Sequence, residues 1–194
     1  MRLSRFWFLR IPAKLYVETV RNIPGLFWLL FFYFVFPDLL PFGLGEKLHG
    51  YTHYSIIAGI LGLTFDNSAY VSDIVRTGLM AVPRGHVEVA VSTGLNRFQQ
   101  LRYIILPEAF RIILPPLGTR MIHNFKNTSL CMVITAPELT WATQQVESIT
   151  FRGLEVTFMA TAFYLLVAFT SARIIIRYEK LLKIDVASVR RAGT

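Results

Sequence analysis

Apolar and polar positions along this chain alternate on the scale of whole helices. Four apolar stretches, residues 23–44, 54–80, 112–137 and 156–176, are each long enough to cross a hydrocarbon core of ~30 Å at about 1.5 Å per residue. Between the second and third lies a polar, basic island, residues 83–116, with the sequence PRGHVEVAVSTGLNRFQQLRYIILPEAFRIILPP. The rest of the chain can be read as the scaffold that holds this island at a membrane surface.

The island has a local grammar. Pro83 suits a first helical position, where its missing N–H costs nothing, and a short helix is expected from Arg84, with Glu88 towards its positive end. Gly94 stands where such a helix needs a left-handed closing residue. Asn96, with Gln99 three positions on, offers a cap for a second helix over 97–106. Pro107 is expected to end that helix, and Pro115 and Pro116 to punctuate the entry to the next apolar stretch. Val87, Val91 and Leu95 form an apolar ridge on the first helix that calls for a partner to bury it.

Charge sorts the connections. Arg2, Arg5, Arg10, Lys14 and Arg21 precede the first apolar stretch; Arg76, Arg84, Arg97, Arg102, Arg111 and Arg120 belong to the island and its edges; Arg173, Arg177, Lys180, Lys183, Arg190 and Arg191 follow the last stretch. The two other connections hold Lys47 and Arg152 alone. Such alternation places both termini and the island in the cytoplasm. Residues 1–22 mix these cations with Trp, Phe and Leu, as expected of a segment lying in the headgroup region. They lack the long apolar stretch and small-residue cleavage site of a leader and are expected to stay in the mature chain.

Composition agrees with membrane residence: 54% of residues are apolar and 16% charged. The formal charge of +8 is split into three patches separated by apolar stretches, which argues against a nucleic-acid surface. A lone cysteine, Cys131, excludes an internal disulfide and is read as packing. His49 and His53 have a spacing that could ligate a metal on a helix, but no third ligand is evident, and no metal site is expected.

Polar residues inside the apolar stretches are the candidates for function, because ionisable groups at membrane depth usually face a cavity or a partner helix. Asp66, Tyr70 and Asp73 share one helical face, read either as lining a translocation path or, for Asp73, as pairing with Arg76 or Thr77. Lys126 falls near mid-membrane beside Asn127, Thr128 and Ser129. It can meet a carboxylate substrate, or pair with Asp66. Thr157, Thr161, Thr170 and Ser171 are the main polar groups of the last stretch, which is expected to pack outside, against lipid and its neighbours.

Glu88, Ala90, Gly94, Ile104, Leu106 and Pro107 reproduce the E-A-A, three residues, G, nine residues, I-x-L-P signature of permease subunits of bacterial ATP-binding-cassette importers, with Val89 standing where that family usually has Ala. The run HNFKNTSL, residues 123–130, resembles the K-N-T-S-L or K-D-T-S-L stretch of the polar amino acid branch. The resemblance implies an all-α, polytopic fold of the type I importer permeases, with about four of five expected membrane helices in this chain and Met1 matching an internal methionine of longer members. It implies that loop 81–111 is cytoplasmic and docks, through the six signature residues, on an ATPase dimer. A second permease subunit, identical or homologous, and an external substrate-binding protein complete the expected assembly in a bacterial inner membrane, with residues 181–194 as a cytoplasmic tail.

The outer connection at residues 138–155 resembles that of permeases for acidic amino acids, so an acidic or other polar amino acid is the expected cargo. The chain has no phosphate-binding glycine loop, nucleophile elbow or zinc-protease motif, so no catalytic residue or cofactor is expected and ATP hydrolysis belongs to a partner. The alternatives are a shortened homologue with a structural or regulatory role, and a small membrane enzyme using Asp66, Asp73, His123 and Lys126.

Overall fold

The computed structural model describes residues 6–181, which are mostly helical with no strand among them. The stretches 1–5 and 182–194, with Arg2, Arg5, Lys183, Arg190, Arg191 and nearly all of the expected tail, lie outside the described residues.

Helix α1, Trp7–Asn22, buries Val17 and Val20 against Ala69, Trp28 and Phe65, while Trp7, Phe8, Ile11 and Leu15 are exposed. Helix α2, Gly25–Leu30, runs into a widened π turn, Phe31–Val35, and a 3₁₀ turn, Pro37–Leu39. The expected helix over 23–44 is therefore shorter and irregular, and Leu44–His49 forms a separate helix, α3. Helix α4, Tyr54–Met80, coincides with the second expected stretch.

Proline explains the π turn. A helical proline supplies no N–H and crowds the carbonyl four residues before it, and a wider turn relieves the crowding. Here the Phe36 N–H bonds the carbonyl of Phe31, five residues back, and Pro37 has no donor to offer Phe32. The hydroxyl of Tyr54, the first residue of α4, donates to that freed carbonyl. A side chain thus repairs the backbone defect and ties α2 to α4.

The same device corrects the reading of the island. After α5, Arg84–Ser92, and α6, Arg97–Gln100, a second π turn, Leu101–Ile105, leads directly into α7, Leu106–Asn127. The Leu106 N–H bonds the carbonyl of Leu101, and Pro107 follows as in the first case. Pro107 does not end the helix, because the wide turn carries the chain past it. Pro115 and Pro116 lie inside α7 rather than at its entrance, each removing one backbone donor from a helix held by its neighbours.

The third expected stretch, 112–137, is likewise not one helix. It starts within α7 and ends as a 3₁₀ segment, Thr128–Ile134. The hydroxyls of Thr128 and Ser129 donate to the carbonyls of Phe125 (2.7 Å) and Lys126 (2.8 Å), three residues back, which favours the tighter winding. Helix α8, Leu139–Thr150, occupies the outer connection. Its start is capped by Glu138, whose carboxylate accepts from the Trp141 and Thr140 amides and from the Tyr164 hydroxyl.

Helix α9, Gly153–Leu181, is longer than expected at both ends and packs on α7 and α8 with no residue buried among those described. By length and apolarity alone it is the one described helix able to cross a membrane; α4 is long enough, but its second half is polar.

The core sits where α4 meets its neighbours. Leu29, Tyr54, Ala58, Cys131, Ile134 and Ala136 form one buried cluster, with Cys131 packing as expected, and Val82, Ala109 and Ile113 another. Small residues allow close approach. A Cβ on Gly78 would lie 2.3 Å from Cγ1 of Ile113, and one on Gly62 would lie 3.0 Å from the Leu29 Cα, so the Ile113 side chain of α7 seats against the α4 backbone while α4 and α2 meet nearly backbone to backbone.

Candidate functional site

Two features stand out, an exposed arm and a buried polar cluster. In the arm, the Pro83 carbonyl accepts from His86, which makes Pro83 the cap of α5 rather than its first helical residue. Glu88 consequently falls on the second turn, exposed to solvent. Gly94 has φ +73°, the left-handed corner expected of it. The Leu95 N–H bonds the Ala90 carbonyl at 3.3 Å and the Gly94 N–H the Val91 carbonyl at 3.0 Å, the paired closing bonds of a Schellman motif. Asn96 then caps α6: its Oδ1 accepts from the Gln99 amide and its own N–H donates to Gln99 Oε1, both at 2.9 Å.

Of the six signature residues, Ala90 is buried, Glu88, Gly94, Leu106 and Pro107 are exposed, and Ile104 is half-buried. Their placement follows from the local bonds: Ala90 and Gly94 close α5, while Ile104, Leu106 and Pro107 belong to the π turn and the start of α7. Within the ridge, Val87 and Leu95 are half-buried and Val91 is 59% exposed. Val89, Phe98 and Tyr103 are exposed as well, so the arm presents an apolar surface that the described residues do not cover.

The polar cluster joins three helices. Asp66 of α4 is 4% exposed. Arg120 of α7 donates from Nη2 to Asp66 Oδ2 at 2.7 Å and from Nε to Asn67 Oδ1 at 2.6 Å, and its guanidinium carbon stands 3.7 Å from the centre of the Tyr70 ring. One turn further along α4, Asp73 accepts from Arg21 of α1, whose guanidinium is 5.2 Å from the same ring. Gly25, at the start of α2, lies beside the Asp66 carboxylate, which a Cβ there would meet at an ordinary contact distance of 3.6 Å. The shared face of Asp66, Tyr70 and Asp73 is thus real, but two arginines fill it.

That arrangement overturns both pairings weighed from sequence. Asp66 pairs with Arg120, not Lys126, and Asp73 with Arg21, not Arg76 or Thr77. The reason is helical phase: six residues at about 100° each turn Lys126 well away from Arg120. Lys126 faces a groove of about 400 Å³ shared with α9, lined by Ile122, Thr161, Tyr164, Leu165 and Phe169. It is exposed, no ion pair holds it among the described residues, and its position in the last turn of α7 suits a cation. Asn127, Thr128 and Ser129 are half-buried.

Arg21, Asn67 and Arg120 were not singled out as site residues by sequence, because Arg21 and Arg120 read as flanking cations. The signal was present: one carboxylate and one guanidinium, each within an apolar stretch, need each other more than either needs water. His49 ends α3 whereas His53 lies beyond it, so their spacing is not that of one helix face. His49 lies 3.9 Å from Asp38. No cluster of three metal-ligating side chains occurs among the described residues.

Residues 1–179 match the family described as binding-protein-dependent transport system inner membrane component, and the chain belongs to that family. It is 31% identical over 179 residues to the glutamine transport system permease protein GlnP of Escherichia coli (strain K12), covering 92% of this chain and 78% of that one. To the octopine transport system permease protein OccM of Rhizobium radiobacter it is 33% identical, covering 90% and 71%. A crystal structure of an amino acid ABC transporter with histidines superposes with a TM-score of 0.80 at 30% identity, covering 93% of this chain and 79% of that chain. The protein is thus an amino acid ABC transporter permease subunit of the inner membrane, not an enzyme, with the all-α fold of the type I permeases.

Proposed function

We propose that the chain carries a polar amino acid through the membrane, and that the arm at residues 83–116 couples this movement to an ATPase. The observation that carries the reading is the arm itself. A nine-residue helix, α5, is closed by a glycine corner and a capping box and leaves Val89, Val91 and Phe98 exposed, an apolar surface suited to a partner's cleft. Glu88, Ala90, Gly94, Ile104, Leu106 and Pro107 are the residues that dock or shape it.

In this reading the partners are an ATPase dimer below the arm, a second permease subunit beside the bundle and a substrate-binding protein outside. Four membrane segments, built on residues 23–44, 54–80, 112–137 and 156–176, place both termini and the arm in the cytoplasm. Asp66, Lys126, Asn127, Thr128 and Ser129 remain the candidates along the translocation path, with Asp66 now paired with Arg120 and Lys126, which has no ion pair among the described residues, available to a substrate carboxylate. Glutamate and aspartate fit that cation. Relatives named for glutamine and octopine make a neutral polar amino acid the competing cargo.

The test is ATP-driven uptake by the reconstituted complex. Gly94→Val puts a branched side chain at φ +73°, a conformation costing L residues about 1–2 kcal/mol; Gly94→Asn keeps the corner, because asparagine tolerates it. Uptake is expected to fall for Val and to survive for Asn, with both subunits still in the membrane. Normal uptake by Gly94→Val would remove the coupling role.

A further inference from the structure

We propose that Arg120 is a positioning residue for coupled transport, which fastens α7 to α4 so that a displacement of the arm moves both helices as one body. This deepens the reading of residues 83–116 as the ATPase-docking arm and rests on it. Helix α6 passes through the π turn into α7 without a break, so motion of the arm enters α7 directly. Arg120 lies thirteen residues beyond Pro107, about 20 Å along the axis at 1.5 Å per residue, well inside the bundle.

Two kinds of attachment join α7 to α4. At Gly78 and Ile113 the helices meet through close apolar packing, whose driving force is non-directional. Arg120 adds directional bonds. Its planar fork is held by Asp66 and Asn67, at 2.7 and 2.6 Å, and its flat face by the Tyr70 ring. Three contacts in different directions on one stretch of α4 fix both register and rotation.

The clasp is sealed, with the Arg120 and Asp66 side chains 10% and 6% exposed, so its bonds are not shared with water. Through Tyr70 it also meets Arg21, which binds Asp73, and α1 joins the same body. A lysine at 120 would keep the charge while losing the fork and the stack.

The experiment uses the full chain reconstituted in proteoliposomes with its ATPase, second permease subunit and binding protein. It compares wild type with Arg120→Lys for assembly, basal ATP hydrolysis, stimulation by loaded binding protein, and amino acid taken up per ATP. We expect assembly and basal hydrolysis near wild type, with uptake per ATP reduced about 10-fold, in the usual range of a coupling energy. Unchanged uptake per ATP would overturn the proposal. So would a fall of basal hydrolysis and stimulation in parallel with uptake in an assembled complex, which marks a static brace, or an altered ranking of amino acid substrates with coupling kept, which marks a substrate contact.

If Arg120→Lys does not assemble, Tyr70→Leu, which removes the stacked ring and leaves the ion pair, carries the same test with the same outcomes. Gly94→Val in parallel separates the two readings. Uncoupling by Arg120→Lys with Gly94→Val normal would sink the arm and spare the clasp, whereas the reverse would sink the clasp alone.

Discussion

Arg120 and Asp66 face each other at 2.7 Å across the contact of α7 with α4, and both side chains are almost wholly enclosed. Taking two charges out of water is costly, and further contacts offset it: Nε of the guanidinium donates to Asn67 and one of its faces rests on the Tyr70 ring.

Removing one partner should therefore harm the fold more than removing both. Asp66→Ala leaves a buried, unpaired guanidinium and is expected to cost about 3–5 kcal/mol, whereas an Asp66→Ala/Arg120→Met double variant should cost less than that single change. Thermal unfolding in detergent measures both. Additive losses would mean that the two charges do not stabilise one another.

Packing makes a second prediction at the other contact of these helices. Gly78→Ala adds a methyl 2.3 Å from Ile113 Cγ1, and overpacking of this kind costs about 1–3 kcal/mol. Ile113→Ala in the same chain should recover part of the loss. If Gly78→Ala unfolds at the wild-type temperature, α4 and α7 do not approach as closely as described.

Much of this architecture was legible in the sequence, and the failures have physical causes. The limits of α4 follow from the extent of an apolar stretch, while the start of α5, the corner at Gly94 and the cap at Asn96 are fixed by residues a few positions apart. The continuation through Pro107 was missed because a π turn has no signature beyond the proline it accommodates. The same turn before Pro37 hid the irregularity of the first stretch. The pairings of Asp66 and Asp73 depend on the phase of distant helices: hydropathy shows that Asp66 needs a cation but cannot choose between Arg120 and Lys126, six residues apart on the same helix.

Topology provides a third prediction. A reporter active only in the cytoplasm should work when fused after Gly94 or at Thr194 and be silent after Gly45 or Gly153. Activity at Gly45 with silence at Gly94 would invert the arrangement and place the arm out of an ATPase's reach.

Selectivity follows from Lys126, exposed to the groove beside α9. A cation in a low-dielectric path favours a carboxylate cargo and repels a cationic one. Lys126→Gln should weaken uptake of glutamate or aspartate more than that of glutamine, in competition assays on the reconstituted complex. Equal losses for all three would make Lys126 structural and leave the acidic cargo without support.

The central claim is that the arm at residues 83–116 meets an ATPase, and cross-linking tests it most directly. Val91 is 59% exposed on α5, and Cys131, the chain's one cysteine, is buried in an apolar cluster, where alanine brings in no hydroxyl to be left unpaired. In a Cys131→Ala background, Val91→Cys should form a short cross-link to the ATPase subunit, with a yield that changes when ATP is bound, whereas Val146→Cys on α8 should form none. A cross-link from Val146→Cys and none from Val91→Cys would contradict the account.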